Sequence, residues 1–396
     1  MLEEINRQDP DNKKTLLLHS CCAVCSAWVV KYLSRYFDLT IYFNNSNIYP
    51  QGEYIKRLKE LHKLIAKSDL RIEIVTEEYD ETYQLDYFDL REEREGGKRC
   101  EACISRRLKS AYDYAENHDF DYFTSVMSAS RNKDANLLNQ IGRELQKNRK
   151  TKYLISDFKK DDGTLKAARI VEEYGIYRQN YCGCVYSYRK PPGWTLDYLP
   201  NQNVFLFQRE DMFRVNTDTT LLGEFARAEE NEIVLDCGCN NGALMLYLSR
   251  GKFKELIGID IFAEALEVAQ INMELNGVEN YRLLNMDISD FKETVDVIVC
   301  NPPYFNFDNE QNKNNNTYLE KSRHLDKEGL LEFFRAFKRI LKPQGRIYLV
   351  YRYEEWPKIK TLIKESGFVV ENYQEIFDER SEKYTTVLAE MSQAIA

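Results

Sequence analysis

The sequence predicts an α/β protein made of two doubly wound domains in tandem. Three observations lead there. Over roughly the first 155 residues, apolar β-type runs alternate with stretches of helical periodicity, the pattern of a parallel sheet with helices on both faces. Pro191, Pro192 and Gly193 then break the alternation. From Ile233 a second series begins, a strand running into a glycine turn, then a helix and another strand. A chain of 396 residues has room for two such domains. The boundary is drawn near residue 195, giving domains 1–195 and 196–396.

In the first half, Leu16, Leu17 and Leu18 make residues 15–19 a short buried strand. Residues 23–36 read as a helix and 39–43 as a strand of β-branched and aromatic residues. Residues 53–66 carry Ile55, Leu58, Leu61, Leu64 and Ile65 at helical spacing. Strands at 71–76, 121–125 and 153–155 and helices at 103–115 and 135–146 continue the pattern. Ligands of such sheets bind at the carboxyl ends of the strands. Cys21, Cys22 and Cys25 follow the first strand directly and so fall at that edge.

Hydrophobic residues make up 43% of the chain and charged residues 30%, as in an ordinary globular protein. No apolar run approaches the ~20 residues of a membrane span. The polar, partly acidic N-terminus predicts no signal peptide, hence a cytoplasmic protein without a membrane partner. Thiols stay reduced there, and clustered cysteines are metal ligands or reactive groups more often than structural disulfides. A net charge of −9 argues against binding nucleic acid through overall charge. The acidity lies mostly in the second half, so any RNA contact must use local patches. Residues 143–160, with Lys147, Arg149, Lys150, Lys152, Lys159 and Lys160, form one such patch or simply a solvated face.

Seven cysteines lie in the first half: Cys21, Cys22, Cys25, Cys100, Cys103, Cys182 and Cys184. The two-residue gap between Cys100 and Cys103 lets both thiolates reach one metal. Joined to Cys21 and Cys22, they supply the four ligands of an iron–sulfur cubane or a zinc site. Adjacent cysteines are unusual for structural zinc, which favours the iron–sulfur reading. Lys98 and Arg99 would help to keep the thiols deprotonated, or equally are plain surface charges. Cys182-Gly183-Cys184 has a glycine that removes strain from a small ring, so the two thiols could pair as a labile disulfide and deliver two electrons. Around them, Tyr174, Tyr177, Tyr181 and Tyr186 with Arg178 and Gln179 suit stacking on a nucleobase, or equally an aromatic core.

These motifs, His19-Ser20-Cys21-Cys22, Cys100-Glu101-Ala102-Cys103, residues 156–160 and Ile176-Tyr177-Arg178-Gln179 through Cys184, resemble the QueH-type epoxyqueuosine reductases, in the same order along the chain. The resemblance runs from about residue 15 to 187. It implies an adenine-nucleotide-hydrolase-like (HUP-type) sheet and reduction of an epoxide on the wobble base of tRNA to the alkene of queuosine. It also implies a [4Fe–4S] cluster on Cys21, Cys22, Cys100 and Cys103, and Cys182 with Cys184 as the redox-active pair. An unidentified electron donor is implied too. Some members carry a second iron, and Cys25 stands where it would help to bind one.

In the second half, Ile233 to Asp236 is an apolar strand that runs into Cys237-Gly238-Cys239-Asn240-Asn241-Gly242, with a helical pattern from Ala243. A second strand ends at Asp260. Backbone approaches an adenosine cofactor at such glycines, and a terminal acid takes ribose hydroxyls. This predicts Asp236, Gly238, Gly242 and Asp260 as cofactor residues, with Asp287, after a third strand, on the adenine amine. Asn240 replaces the more usual glycine but tolerates positive φ. The absence of a basic residue for phosphate points to S-adenosylmethionine. Cys237, Cys239 and Cys300 read as small buried hydrophobes.

The strand from Asp296 then ends in Asn301-Pro302-Pro303-Tyr304-Phe305. The Asn301 side-chain oxygen and the Pro302 carbonyl can each accept a hydrogen from an exocyclic amine, and Tyr304 can stack on its ring. Amines of this kind are poor nucleophiles, so positioning must carry the catalysis. This half looks like a class I S-adenosylmethionine-dependent methyltransferase. Its segments 211–222 and 301–305 are similar to the tRNA adenine N6-methyltransferases that act beside the anticodon. The asparagine-rich segment 309–316 departs from that pattern. Arg323 and His324 would touch RNA or simply face solvent.

The sequence therefore predicts a bifunctional tRNA-modifying enzyme, both activities directed at the anticodon loop. One alternative is a zinc-stabilised RNA-binding module attached to an RNA or protein amine or amide N-methyltransferase. Another has the second half as an inert scaffold.

Overall fold

The computed structural model describes residues 2–5, 12–188, 190–199, 203–302 and 327–394. The chain forms two compact units, residues 1–189 and 190–396.

Unit 1 is a five-stranded parallel sheet in the order β3-β2-β1-β4-β5. Its strands are β1 (Lys14–His19), β2 (Phe37–Phe43), β3 (Glu73–Thr76), β4 (Tyr122–Ser125) and β5 (Lys152–Tyr153). The connecting helices are α1 (Ala23–Leu33), α2 (Gln51–Lys67), α3 (Lys98–Asn117) and α4 (Ala135–Gln146), and α5 (Gly163–Glu173) follows β5. Side chains alternate across a strand, and β1 shows the consequence. Leu16 and Leu18 enter one core with Val30 of α1, Leu61 of α2 and Ile170 of α5, whereas Leu17 enters the other with Leu108 of α3 and Leu138 of α4. Each such buried leucine contributes roughly 1.5–3 kcal/mol, so β1 is pinned in register from both sides.

Two features depart from the expected elements. The helix expected from residue 103 begins at Lys98, which puts Cys100 and Cys103 in its first two turns. Gly97 stands at its N-cap and Gly96 before it has φ +87°, a start without the usual polar capping residue. Helix α5, which the apolar periodicity did not mark, packs on α1, with Lys166 4.8 Å from the Trp28 ring centre.

Unit 2 opens with a hairpin of β6 (Trp194–Leu199) and β7 (Val204–Arg209) and helix α6 (Thr217–Phe225). A seven-stranded sheet follows in the order β10-β9-β8-β11-β12-β14-β13. Its strands are β8 (Ile233–Cys237), β9 (Glu255–Asp260), β10 (Tyr281–Asn285), β11 (Val295–Cys300), β12 (Leu341–Arg352), β13 (Phe368–Asp378) and β14 (Lys383–Gln393). The first five are parallel, and β14 runs antiparallel to both β12 and β13. Helices α7 (Ala243–Leu248), α8 (Ala263–Leu275), α9 (Lys327–Ile340) and α10 (Trp356–Glu365) cover it. Val234, Val297 and Val299 face the α6–α8 side, and Leu235, Ile298 and Cys300 face α9 and α10. This is the doubly wound arrangement expected, with an antiparallel pair at one edge. Among the described residues no helix is long and apolar enough to cross a membrane.

Gly142 shows how tightly unit 1 is packed. A Cβ there would lie 2.2 Å from the Tyr153 ring, where α4 crosses β5. Gly142→Ala should destabilise unit 1 by about 1–3 kcal/mol despite the higher helix propensity of alanine, read from the urea midpoint of its unfolding transition.

Candidate functional site

In each unit the strand order reverses at one point, between β1 and β4 and between β8 and β11. Helices leave these neighbouring strands toward opposite faces, so a crevice opens at their carboxyl ends.

In unit 1 the chain leaves β1 at His19 and enters α1 with Cys22 as its N-cap residue. The Cys25 amide donates to the Cys22 thiol at 3.5 Å. The Cys21 and Cys22 Sγ atoms are 3.9 Å apart. With Cys25 they form a triad whose ligating atoms all lie within 4.8 Å of one another. Hydrogen bonds from the Cys21 and Cys25 thiols hold the Cys22 thiol well below its usual value, and Gln179 assists. The bond it gives to Cys22 pushes the Cys21 thiol up to about 12.

Cys100 and Cys103 are three residues apart on α3 and so share a face. The Gly96 amide donates to Cys100 at 3.2 Å, and the Tyr83 hydroxyl lies 3.6 Å from the Cys103 sulfur. They are not part of the triad. Instead they line a small cavity with Cys182 and Cys184, next to a cavity of about 600 Å³ that has Cys21, Cys22, Cys25 and Cys182 in its wall. Arg107, Lys133 and Cys182 line both.

Arg107 is 6% exposed. It donates to the Asn45 side chain, its Nε finds no acceptor, and no carboxylate pairs with it among the described residues. The groups it faces are the thiols of Cys103, Cys21 and Cys182 and the Tyr83 hydroxyl. A buried cation without a carboxylate needs other anions, and thiolates are the ones at hand. Soft donors around a buried guanidinium fit a thiolate-ligated iron–sulfur centre.

Gly183 has a different reason from ring closure. Its φ is +125°, and a Cβ would lie 2.9 Å from Arg57 Nη1. Arg57, buried and paired with Glu53 at 2.7 Å, donates to the Cys182 carbonyl at 2.9 Å. The Tyr49 amide donates to the Gly183 carbonyl at 2.9 Å. Burial, then the neighbouring Cys182, pushes the Cys184 thiol up to about 12. Cys182 and Cys184 are free thiols held by backbone contacts.

The tyrosines are mostly engaged within the fold. Tyr174 takes a hydrogen bond from Lys31 at 2.6 Å, Tyr177 lies under Lys56, and Tyr186 donates to the Gln84 carbonyl at 2.5 Å. Only Tyr181, beside Arg178 and Gln179, lines the larger cavity. The basic stretch is also partly committed. Lys147 pairs with Glu144 and Arg149 with Asp113, both at 2.6 Å, and Lys159 donates to the Ser128 carbonyl.

Unit 2 builds its crevice from the turn after β8. Gly238 and Gly242 both have φ +78° and Asn240 has φ +47°. At Gly238 a Cβ would meet nothing within 4 Å, so the backbone borders open space. Asp260 holds the turn: its carboxylate accepts from the Asn240 amide at 2.8 Å and the Phe262 amide at 3.0 Å. Asp236 is 1% exposed, and neither carboxylate oxygen has a hydrogen-bond partner among the described residues. An unpaired buried carboxylate beside open backbone fits a cationic ligand. Asp287, after β10, is exposed and caps a short turn through the Ser289 amide at 2.8 Å. Cys237, Cys239 and Cys300 are buried among apolar groups.

After β11, Asn301 meets α6. The Thr219 amide donates to Asn216 Oδ1 at 3.0 Å, which fixes that atom as an acceptor. The Thr219 hydroxyl then donates to the same atom at 3.0 Å. Its oxygen can therefore only accept from Asn301, at 3.2 Å, so Asn301 turns its NH₂ toward Thr219 and keeps its carbonyl oxygen without a partner among the described residues. Pro302 is buried beside it. Tyr304, Pro303, segment 309–316, Arg323 and His324 lie outside the described residues.

Sequence reasoning missed Arg57, Arg107, Lys133 and the role of Asn216 and Thr219. Arg107 had a signal: Cys100, Cys103 and Arg107 fall at i, i+3 and i+7 of one helix face. Arg57 and Lys133 had none, because Cys182, which they serve, is distant in the chain; Asn216 and Thr219 lie in segment 211–222, but their contact with Asn301 is not local.

Comparison with known proteins agrees with both halves. Residues 16–190 match the family model described as epoxyqueuosine reductase QueH, and residues 228–391 match one described as a methyltransferase domain. The epoxyqueuosine reductase QueH of Streptococcus pyogenes serotype M1 is 39% identical over 44% of this chain and 71% of its own length. That of Staphylococcus aureus is 38% identical over 43% of this chain and 75% of its own. Among solved structures, the ribosomal protein L11 methylase of Lactobacillus delbrueckii subsp. bulgaricus aligns at 20% identity over 47% of this chain and 84% of that one, with a TM-score of 0.36. The chain thus belongs, through its first unit, to the epoxyqueuosine reductase QueH family, and it carries a methyltransferase domain in its second.

Proposed function

We propose that unit 1 reduces epoxyqueuosine to queuosine at the wobble position of tRNA, and that unit 2 methylates an exocyclic amine of a tRNA adenine near the anticodon. The observation that carries the first half is the convergence of cysteines from three distant segments on two adjoining cavities that share Arg107, Lys133 and Cys182. Cys21, Cys22, Cys100 and Cys103 hold a [4Fe–4S] cluster, and Cys25 is free to take a second iron. A bound cluster supplies a Lewis-acidic, redox-active centre for the epoxide oxygen. Arg107 balances the charge of the thiolates. Cys182 and Cys184 act as the reductant: two thiols give up two electrons and two protons and join as a disulfide. Both carbon–oxygen bonds of the epoxide break, the oxygen leaves as water, and the alkene forms. An external electron donor then returns the disulfide to dithiol. Arg57 and Tyr49 position the pair by holding the Cys182 and Gly183 carbonyls.

In unit 2, Asp236, Gly238, Gly242, Asp260 and Asp287 form the S-adenosylmethionine site. The bound cofactor supplies a methyl group on a sulfonium. Asp236 gives up its proton on binding and offers its carboxylate to the positive charge of the ligand. The free oxygen of Asn301 and the Pro302 carbonyl orient the amine, with Tyr304 on its ring; the nitrogen–carbon bond forms as the sulfur–carbon bond breaks to leave a neutral thioether, and the excess proton passes from the nitrogen to water.

A second reading has one observation in its favour: three thiols within 4.8 Å suit a single ion. On that reading the triad holds zinc and unit 1 only binds RNA. Brown, oxygen-sensitive protein containing iron and sulfide supports the reductase, and colourless protein containing zinc supports the alternative.

Nucleoside mass spectrometry of tRNA from cells lacking the protein should show accumulated epoxyqueuosine and a missing methylated adenine. Cys182→Ser should fail to restore queuosine although the purified variant keeps its iron and sulfide. Loss of the cluster from that variant would make Cys182 a ligand instead. Thr219→Val frees the Asn301 amide to flip; it should lower kcat for methyl transfer about tenfold or more with S-adenosylmethionine affinity kept, and Thr219→Ser should restore it.

Asp236 also sets a pH dependence. Burial, then the charge of Asp260, pushes its carboxyl up to about 8, against about 3.9 when unfolded. Between these values the folded chain keeps a proton that the unfolded chain has lost, so stability falls as pH rises and the loss is complete above about 8. Asp236→Asn removes this loss. Relative to the variant, the second unit of the parent should lose about 1.4 kcal/mol per pH unit between about pH 5 and 7, measured by urea unfolding.

A further inference from the structure

The cavity of about 600 Å³ in unit 1 has five basic residues in its wall, Arg57, Arg107, Arg131, Lys133 and Arg178, and no acidic one. This is unexpected in a chain of net charge −9. Three of the five are answered from within the fold. Arg57 pairs with Glu53 at 2.7 Å. Arg107 and Lys133 face thiols, Cys21 and Cys103 in the one case, Cys182 and Cys100 in the other. Arg131 and Arg178 are different. Both are exposed while lining the cavity, and neither has an ion-pair partner among the described residues. Nearby acids are engaged elsewhere: Asp134 caps α4 through the Asn136 amide at 2.8 Å, and Asp157 lies 3.4 Å from Lys159. Gly163 and Thr164, at the start of α5, line the same wall, and no side chain caps that helix. Its positive end adds to the field of the two arginines. A concave wall carrying one sign of charge concentrates ions of the other sign.

We propose that Arg131 and Arg178 hold backbone phosphates of the RNA strand whose modified base enters this cavity. The inference rests on the reductase reading of unit 1 and adds to it the groups that seat the strand. Arg131 lies beyond the end of β4 and Arg178 beyond α5, so the phosphate contacts come from two separate segments at the mouth. The base enters past Tyr181 toward Cys22 and Cys182, which line the same space. Guanidinium groups suit phosphate because their planar N–H pairs match its oxygens.

Binding of a fluorescently labelled, unmodified anticodon stem–loop RNA to the iron-loaded full chain, followed by anisotropy over a range of salt, tests this without turnover. Arg131→Gln and Arg178→Gln should each weaken binding several-fold and flatten the plot of log affinity against log salt by about 0.7, and the double variant by about 1.4. Arg→Lys at both positions should keep the parent slope. Iron content and thermal melting should be unchanged in all of them. A double variant with the parent slope overturns the proposal, as does loss of iron or melting temperature, which would make the arginines structural. Titration with AMP and inorganic phosphate separates the sources of the phosphate. Tight AMP binding that disappears in the double variant while the RNA slope stays would overturn the proposal in favour of a free nucleotide. A parent protein that binds RNA with these slopes yet reduces no epoxyqueuosine would defeat the reductase reading alone.

Discussion

The reversal of strand order in a parallel sheet is the constraint on which both halves of this protein depend. Wherever neighbouring strands send their helices to opposite faces, the carboxyl ends between them stay uncovered. In unit 1 that place lies between β1 and β4, in unit 2 between β8 and β11. The cysteine triad, the glycine turn and Asn301 follow three of these four strands directly, and Arg131 to Lys133 follow the fourth after one short turn, Val126–Ala129. Neither site needs a special scaffold. Each starts from chemically able residues just after these strands, and unit 1 adds Cys100, Cys103 and Arg107 from α3 and Cys182 and Cys184 from beyond α5.

A buried ionisable group without an opposite charge inside the fold is the second common feature. Arg107 is closed in with thiols and no carboxylate, and Asp236 is closed in beside Asp260 with no cation among the described residues. Charged and isolated, each would cost several kcal/mol; Asp236 avoids that cost by keeping its proton until a cationic ligand completes it. The two have opposite sign, and so have the ligands they fit: a thiolate-ligated cluster in the first unit, a sulfonium cofactor in the second. The arginines at the mouth of the first cavity extend the same logic to the substrate.

Support from behind the reactive atoms is mostly backbone and amide chemistry. Arg57 and Tyr49 hold the carbonyls of Cys182 and Gly183. Asn272, fully buried on α8, bonds both to the Phe207 backbone and to the Asn241 carbonyl, so it joins the hairpin to the glycine turn. Asn216 and Thr219 settle which way Asn301 points. None of these residues reacts. They remove alternative positions for those that would.

Much of this was legible in the chain. Leu16 to Leu18 followed by cysteines, the glycine turn after Ile233 and the Asn301-Pro302 turn each announce themselves locally, because strand periodicity and turn chemistry act over a few residues. The start of α3 was missed because a glycine cap is a weak signal, and α5 because its apolar face is short. Gly183 was read for ring closure, whereas its neighbours Arg57 and Ile48 leave no room for a side chain.

The sequence by itself determined two α/β units, the order of their strands and helices, and which residues have the chemistry to bind metal or cofactor. Only the tertiary structure decided which of them meet. Cys25 joins Cys21 and Cys22, Cys182 stands between two cavities, and Arg107 faces thiols carried by other segments. The reason is physical: periodicity reports which face of an element is buried, but the partner across the crevice is set by how the sheet orders its strands, which brings together residues more than a hundred positions apart.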